Sequence, residues 1–229
     1  MSEFHHQNLH LYRRDCMDLM ADFHDEYFDL AVVDPPYGIG PTWSKSRKDR
    51  FYQGGKLHAY QNVSAPDARY FSELIRVSKH QIIWGGNYFT DHLPPTNSWI
   101  VWDKGRDASK SFMSEGELAW TSFSGVLRII PLVWDGARKC EKVIKIHPHQ
   151  KPIRLYQSLY KTYLKPGYKV LDTHLGSASS AVAALGVQCD FYGCELEDVY
   201  FSNLVERIEL CSRQGDFFDF EVGKTECLF

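Results

Sequence analysis

The chain has 229 residues, is 44% hydrophobic and carries a formal net charge of −3. That is enough apolar material for one domain with a full core. The slight acidity argues against a simple nucleic-acid coat protein, although local basic patches remain compatible with it.

No apolar run reaches transmembrane length, and the opening "MSEFHHQNLH" lacks the charged-then-apolar layout of a signal peptide. Six scattered cysteines, with no CxxC pair, suggest neither zinc nor a disulfide framework. Together these features predict reduced thiols in a cytoplasmic protein, with no membrane partner.

In chain order, "NLHLYR" (8–13) predicts a strand and "DCMDLMADF" (15–23) a helix, on the spacing of Met17, Met20 and Phe23. "FDLAVV" (28–33) predicts a buried strand. It ends in Asp34-Pro35-Pro36-Tyr37, where the prolines forbid both helix and further ladder pairing. The segment 38–65 is too long for an ordinary connection, which predicts a mobile, functional loop. Within it, residues 41–58 carry five basic side chains (Lys45, Arg47, Lys48, Arg50 and Lys56) against Asp49.

A helix follows at 67–79, then strands at 81–85, 98–103, 117–123 and 126–134. Residues 137–151 are again basic and end in "HPHQK", after which Pro152 opens a helix over 151–165. "YKVLD" (168–172) predicts a strand, 177–186 a small-residue helix, 189–196 a strand and 197–213 a final helix. Strands alternating with helices imply an α/β fold with a mainly parallel sheet, whose ligands sit beyond the carboxyl ends of the strands.

Two stretches can carry chemistry. "VLDTHLGSASSAVAALG" (170–186) reads as strand, acidic residue, Gly-containing loop and helix, and about 20 residues on the next strand ends in Glu195, a spacing suited to a ribose. The Asp34 corner is the other. An ordinary strand-to-turn reading competes for both, and Asp15 equally suits a plain helix cap.

Asp34-Pro35-Pro36-Tyr37, "HPHQKP" (147–152) and "LDTHLGSASS" (171–180) resemble the amino DNA methyltransferases, which modify the exocyclic amine of adenine or cytosine. The order of the motifs resembles the permuted beta class, and the likeness spans about residues 8–212. The family pattern DPFxGSGTT is altered here: Thr173, His174 and Ala178 replace Pro, Phe and the second Gly, and Ser179-Ser180 replaces Thr-Thr.

The resemblance implies a circularly permuted, Rossmann-like methyltransferase domain over 1–229 with a seven-stranded sheet. It implies S-adenosylmethionine as cofactor, no metal, double-stranded DNA as partner and pairing of two copies. Adenine N6 is the expected target, with cytosine N4 or RNA as alternatives, and a silent nucleic-acid-binding subunit as the rival from another class.

By the same resemblance Asp34 and the Pro35 carbonyl would accept hydrogen bonds from the amine, with Pro36 fixing the corner and Tyr37 stacking on a flipped base. Asp15, Cys16, Asp34, His147, Lys151, Asp172, Leu175, Gly176, Ser177, Glu195 and Leu196 would surround the cofactor. Lys45, Arg47, Lys48 and Arg50 would contact phosphates. Residues 124–146 would form a short target-recognition segment.

Overall fold

The structure, a computed structural model, describes residues 2–39, 64–107, 109, 114–135, 138–141 and 146–214. Lys45, Arg47, Lys48 and Arg50 lie outside the described residues.

Five strands form a parallel centre: β2 (Leu9–Arg13), β3 (Phe28–Val33), β4 (Ser78–Trp84), β10 (Tyr168–Asp172) and β11 (Cys189–Glu195). Beyond β4 come β6 (Gly116–Thr121) and β5 (Trp99–Asp103), each antiparallel to its neighbour, and then β7 (Arg128–Pro131), parallel to β5. β1 (Glu3–His6) pairs with β2 at the opposite edge, turning back at Gln7, where φ is +52°. The full order is β1-β2-β11-β10-β3-β4-β6-β5-β7.

The sheet thus has nine strands rather than the expected seven. The hairpin strand β1 and the short strand β7 extend its two edges. Residues 126–134 do not form one strand: β7 stops at Pro131, and Trp134–Asp135 (β8) pairs instead with Arg138–Lys139 (β9). Proline has no N–H to continue a ladder.

Alternation on β3 divides the core. Leu30 and Val32 face α3 (Ile153–Tyr163), α4 (Ser179–Ala184) and α5 (Asp198–Gln214). Ala31 and Val33 face α1 (Cys16–Ala21) and α2 (Ala68–Val77). Both faces of β3 are therefore covered from Leu30 onward, which is why residues 30–33 form a continuous apolar run. Helix α1 is shorter than its periodicity predicts, because Asp22 already caps it.

β3 and β10 are parallel neighbours, with Leu171 opposite Ala31. The Asp34 corner and the loop after Asp172 therefore leave the sheet side by side at its carboxyl edge.

Candidate active site

At that edge two donors hold the Asp34 carboxylate. The Tyr37 hydroxyl donates to Asp34 Oδ1 at 2.6 Å, and the Lys151 ammonium donates to Asp34 Oδ2. Lys151 Nζ also lies 3.3 Å from the Tyr37 hydroxyl and 3.1 Å from Glu117 Oε2. Glu117 Oε1 in turn accepts from Lys104, so the four charges alternate in sign along a chain from Asp34 to Lys104.

The strand directions explain this meeting. β6 runs antiparallel to β4, so its first residues reach the carboxyl edge. β5 runs the other way beside it, with Trp102 opposite Glu117, and delivers Lys104 just past its end. Neither Glu117 nor Lys104 stands in a recognisable sequence motif. A carboxylate at the start of a strand antiparallel to β4, and a lysine just past its neighbour, is a signal that emerges only once the pairing is known.

Burial sets the electrostatics. The Lys151 ammonium would be disfavoured by its burial, but Asp34 and Glu117 outweigh that and push its pKa up. Burial would likewise raise Glu117, yet Lys151 and Lys104 hold it down at about 2. Burial lowers Lys104, and its ion pair with Glu117 offsets this only in part. Tyr37 is raised well above 10, first by burial and then by Asp34, and stays a neutral donor. Pairing keeps these buried charges tolerable, and removing one member would strand its partners.

The second half of the site is the loop after β10. Asp172 points inward: its carboxyl accepts from Ser180 Oγ (2.5 Å) and the His174 amide (3.0 Å), and burial pushes its pKa up to about 7. Leu175 is buried, and its amide donates to Cys194 O. Gly176 has φ +50°, and a Cβ there would come within 3.2 Å of the His147 ring. The Ser177 carbonyl accepts from Arg207 Nη1 at 2.6 Å. Ser179 Oγ donates to the Lys151 carbonyl at 2.7 Å, tying the loop to the segment before α3.

Glu195 closes β11. Its two oxygens accept from the amides of Gly176 (2.9 Å) and Glu197 (3.0 Å), which fixes the plane of the carboxylate. Burial raises its pKa, and those amide bonds counter the rise.

A cleft open to solvent runs along this edge. Its lining joins Asp15, Cys16, Glu195 and Leu196 to Pro36 of the corner and to Thr173 and His174 of the loop. Asp15 doubles as the cap of α1, accepting from the Met17 amide at 2.8 Å. Burial pushes the Cys16 thiol up to about 12, so it is a protonated wall rather than a nucleophile. Burial holds His174 at about 4, neutral, with its ring edge-on to Tyr70 and Nδ1 2.9 Å from Thr173 Oγ1.

The structure therefore gathers the expected residues around one edge, in two groups. Asp15, Cys16, Glu195 and Leu196 line the cleft. Asp172, Leu175 and Ser177 build the loop from behind, and His147 packs on Gly176. Lys151 points to Asp34 and is not among the residues lining the cleft. Among the described residues, no three or more His, Cys, Asp or Glu side chains are arranged to hold a metal ion, and no helix is long and apolar enough to cross a membrane.

A cleft beside a polar corner, at the carboxyl edge of a parallel sheet, is the plan of a Rossmann-like methyltransferase fold. Comparison with known proteins gives the family. The DNA methylase family, covering N6-adenine and N4-cytosine enzymes, matches residues 57–206, and the chain belongs to it.

A protein of Escherichia coli (strain K12) named "Putative methylase YubD" is 26% identical over 223 residues, spanning 87% of this chain and 89% of the relative. The M1.HpyAVI–SAM complex aligns with a TM-score of 0.56 at 18% identity, covering 87% of this chain and 99% of that one. The PvuII cytosine-N4-specific DNA methyltransferase aligns at 0.56 and 12%, covering 91% and 92%. At such identities the structural likeness establishes the fold.

Proposed function

We propose that the protein transfers a methyl group from S-adenosylmethionine to the N6 amine of adenine in double-stranded DNA. The observation that carries this reading is the Asp34 carboxylate, fixed by Tyr37 and Lys151 beside a cleft whose wall includes Pro36.

The residues present fit the cofactor. Glu195 lies at a strand end with its plane set by two amides, suited to ribose hydroxyls. Asp15, Cys16 and Leu196 would enclose the adenine side, and Gly176 and Ser177 leave the loop backbone approachable. The structural likeness to a SAM complex supports the same assignment. When bound, S-adenosylmethionine supplies a methyl group on a positively charged sulfur.

The difficulty lies with the acceptor, since an aromatic amine shares its lone pair with the ring. Asp34 and the Pro35 carbonyl would accept the two amine hydrogens, favour a pyramidal nitrogen and stabilise the positive charge that develops there. Pro35 and Pro36 set that geometry in advance. The Tyr37 ring would stack on the flipped base in place of Tyr88, which is half-exposed and now stacks on it.

Lys45, Arg47, Lys48 and Arg50 would hold phosphates, and residues 124–146, including β7 and the β8–β9 hairpin, would form the target-recognition segment. Cytosine N4 is the second reading, favoured by the fold shared with the cytosine-N4-specific enzyme. The intact corner argues against a silent subunit.

The deciding experiment is methyl transfer from labelled S-adenosylmethionine to unmethylated genomic DNA, with the nucleosides separated afterwards. Label in N6-methyladenine supports the proposal. Label in N4-methylcytosine moves the substrate, and absence of label together with absence of cofactor binding sinks the enzymatic reading.

A further inference from the structure

Each oxygen of Asp34 already accepts one donor, Oδ1 the Tyr37 hydroxyl and Oδ2 the Lys151 ammonium. A target amine arriving there meets a donor already in place. It also meets a positive charge where its own nitrogen must become positive, which opposes the reaction. Lys151 therefore has to yield.

The structure provides somewhere for it to go. Glu117 Oε2 is buried and has no well-directed hydrogen bond, although Lys151 Nζ stands only 3.1 Å away. The other oxygen, Oε1, is anchored by Lys104. The Glu117 carboxylate is thus held in place by one oxygen, with the other within ion-pair reach of Lys151.

We infer that Glu117 is a positioning residue that draws Lys151 off Asp34 as the target base enters, freeing Oδ2 for the amine and balancing the lysine's charge. This rests on Asp34 being the amine acceptor. The titratable groups facing Lys151 are Asp34 and Tyr37 from the corner, Glu117 from β6 and Lys104 beyond β5, while Tyr156 from α3 interacts with the same two carboxylates. Tyr37 and Tyr156 are held neutral by burial, so only the two carboxylates compete for the ammonium.

The test is single-turnover methyl transfer by Glu117→Gln on saturating DNA. The rate constant is expected to fall about tenfold or more, while cofactor Kd and DNA KM stay within about twofold. With one carboxylate lost, Lys151 deprotonates at lower pH and stops competing for Asp34. The deficit should therefore narrow as pH rises above neutrality.

A wild-type rate in Glu117→Gln overturns the inference, as does a deficit constant with pH or accompanied by lost cofactor affinity. If the Gln variant does not fold, Glu117→Asp carries the test. Its withdrawn carboxylate should slow transfer severalfold with the same pH trend, and an unchanged rate again overturns the inference. Inactive wild-type protein, or a fully active Asp34→Ala, sinks the underlying reading instead.

Discussion

Gly85 lies flat against the ring of Tyr37: a Cβ at Gly85 would stand 2.2 Å from Tyr37 Cε1 and 2.6 Å from Cδ1. Gly85 also has φ +68°, so a side chain there is strained by about 1–2 kcal/mol before any clash. Tyr88, next along the turn, stacks on Tyr37 at 5.0 Å between centroids, which leaves the ring little room to retreat. Gly85→Ala should displace the Tyr37 hydroxyl from Asp34 and slow methyl transfer at least about tenfold, with cofactor affinity nearly unchanged. Parallel activity and cofactor-titration measurements check this.

Asp34→Ala should reduce transfer by about a thousandfold while cofactor Kd moves only a few-fold, because Asp34 is absent from the cleft lining. Near-normal transfer by that variant would remove the amine-acceptor role. Lys151 keeps Glu117 as a counter-ion, so the fold should survive the change.

Glu195→Ala removes the proposed ribose acceptor and leaves the Gly176 amide without its carboxylate. Hydrogen bonds to a charged group contribute about 1.5–3 kcal/mol, so cofactor Kd should rise roughly 10- to 100-fold. Calorimetric titration of S-adenosylhomocysteine measures it, and an unchanged Kd would place the ribose elsewhere.

Asp172 makes stability depend on pH. Its carboxyl ionises near 3.8 when unfolded and at about 7 when folded, because burial disfavours the charge. Between those values the folded protein keeps a proton that the unfolded chain has released, so stability is greatest below 3.8 and falls as pH rises toward 7. The penalty reaches about 4 kcal/mol. Glu117, held at about 2, acts in the opposite sense but only below its ordinary value of 4.5. Asp172→Asn can keep the His174 amide bond and donate to Ser180, so it should raise Tm at pH 8 more than at pH 5. Equal shifts at both values would show that the carboxyl is already ionised at pH 5.

The sequence made the parallel sheet legible because β3, β10 and β11 each end in a buried apolar stretch followed by a carboxylate or a turn signal. The Asp34 corner, the Gly176 loop and Glu195 were legible for the same reason, each following a strand directly. Glu117 and Lys104 were not, since their partnership depends on two antiparallel registers that a linear pattern does not encode. Lys151 was legible as a motif residue, but the direction of its ammonium was not. Ala178 shows a departure that kept its geometry: it stands where the family pattern has glycine, and its φ of +55° is the left-handed conformation that glycine adopts freely.

The pairing of β3 with β10 also bears on how the protein comes into being. A ribosome completes the Asp34 corner early and the cofactor loop late, with Lys151 only shortly before that loop. Until β10 and β11 emerge and insert between β2 and β3, the corner has neither its cleft nor its lysine. Pairings between such distant segments form slowly, and domains fold as units. A half-made chain therefore lacks the assembled site, which is complete only once β10 and β11 have joined the sheet.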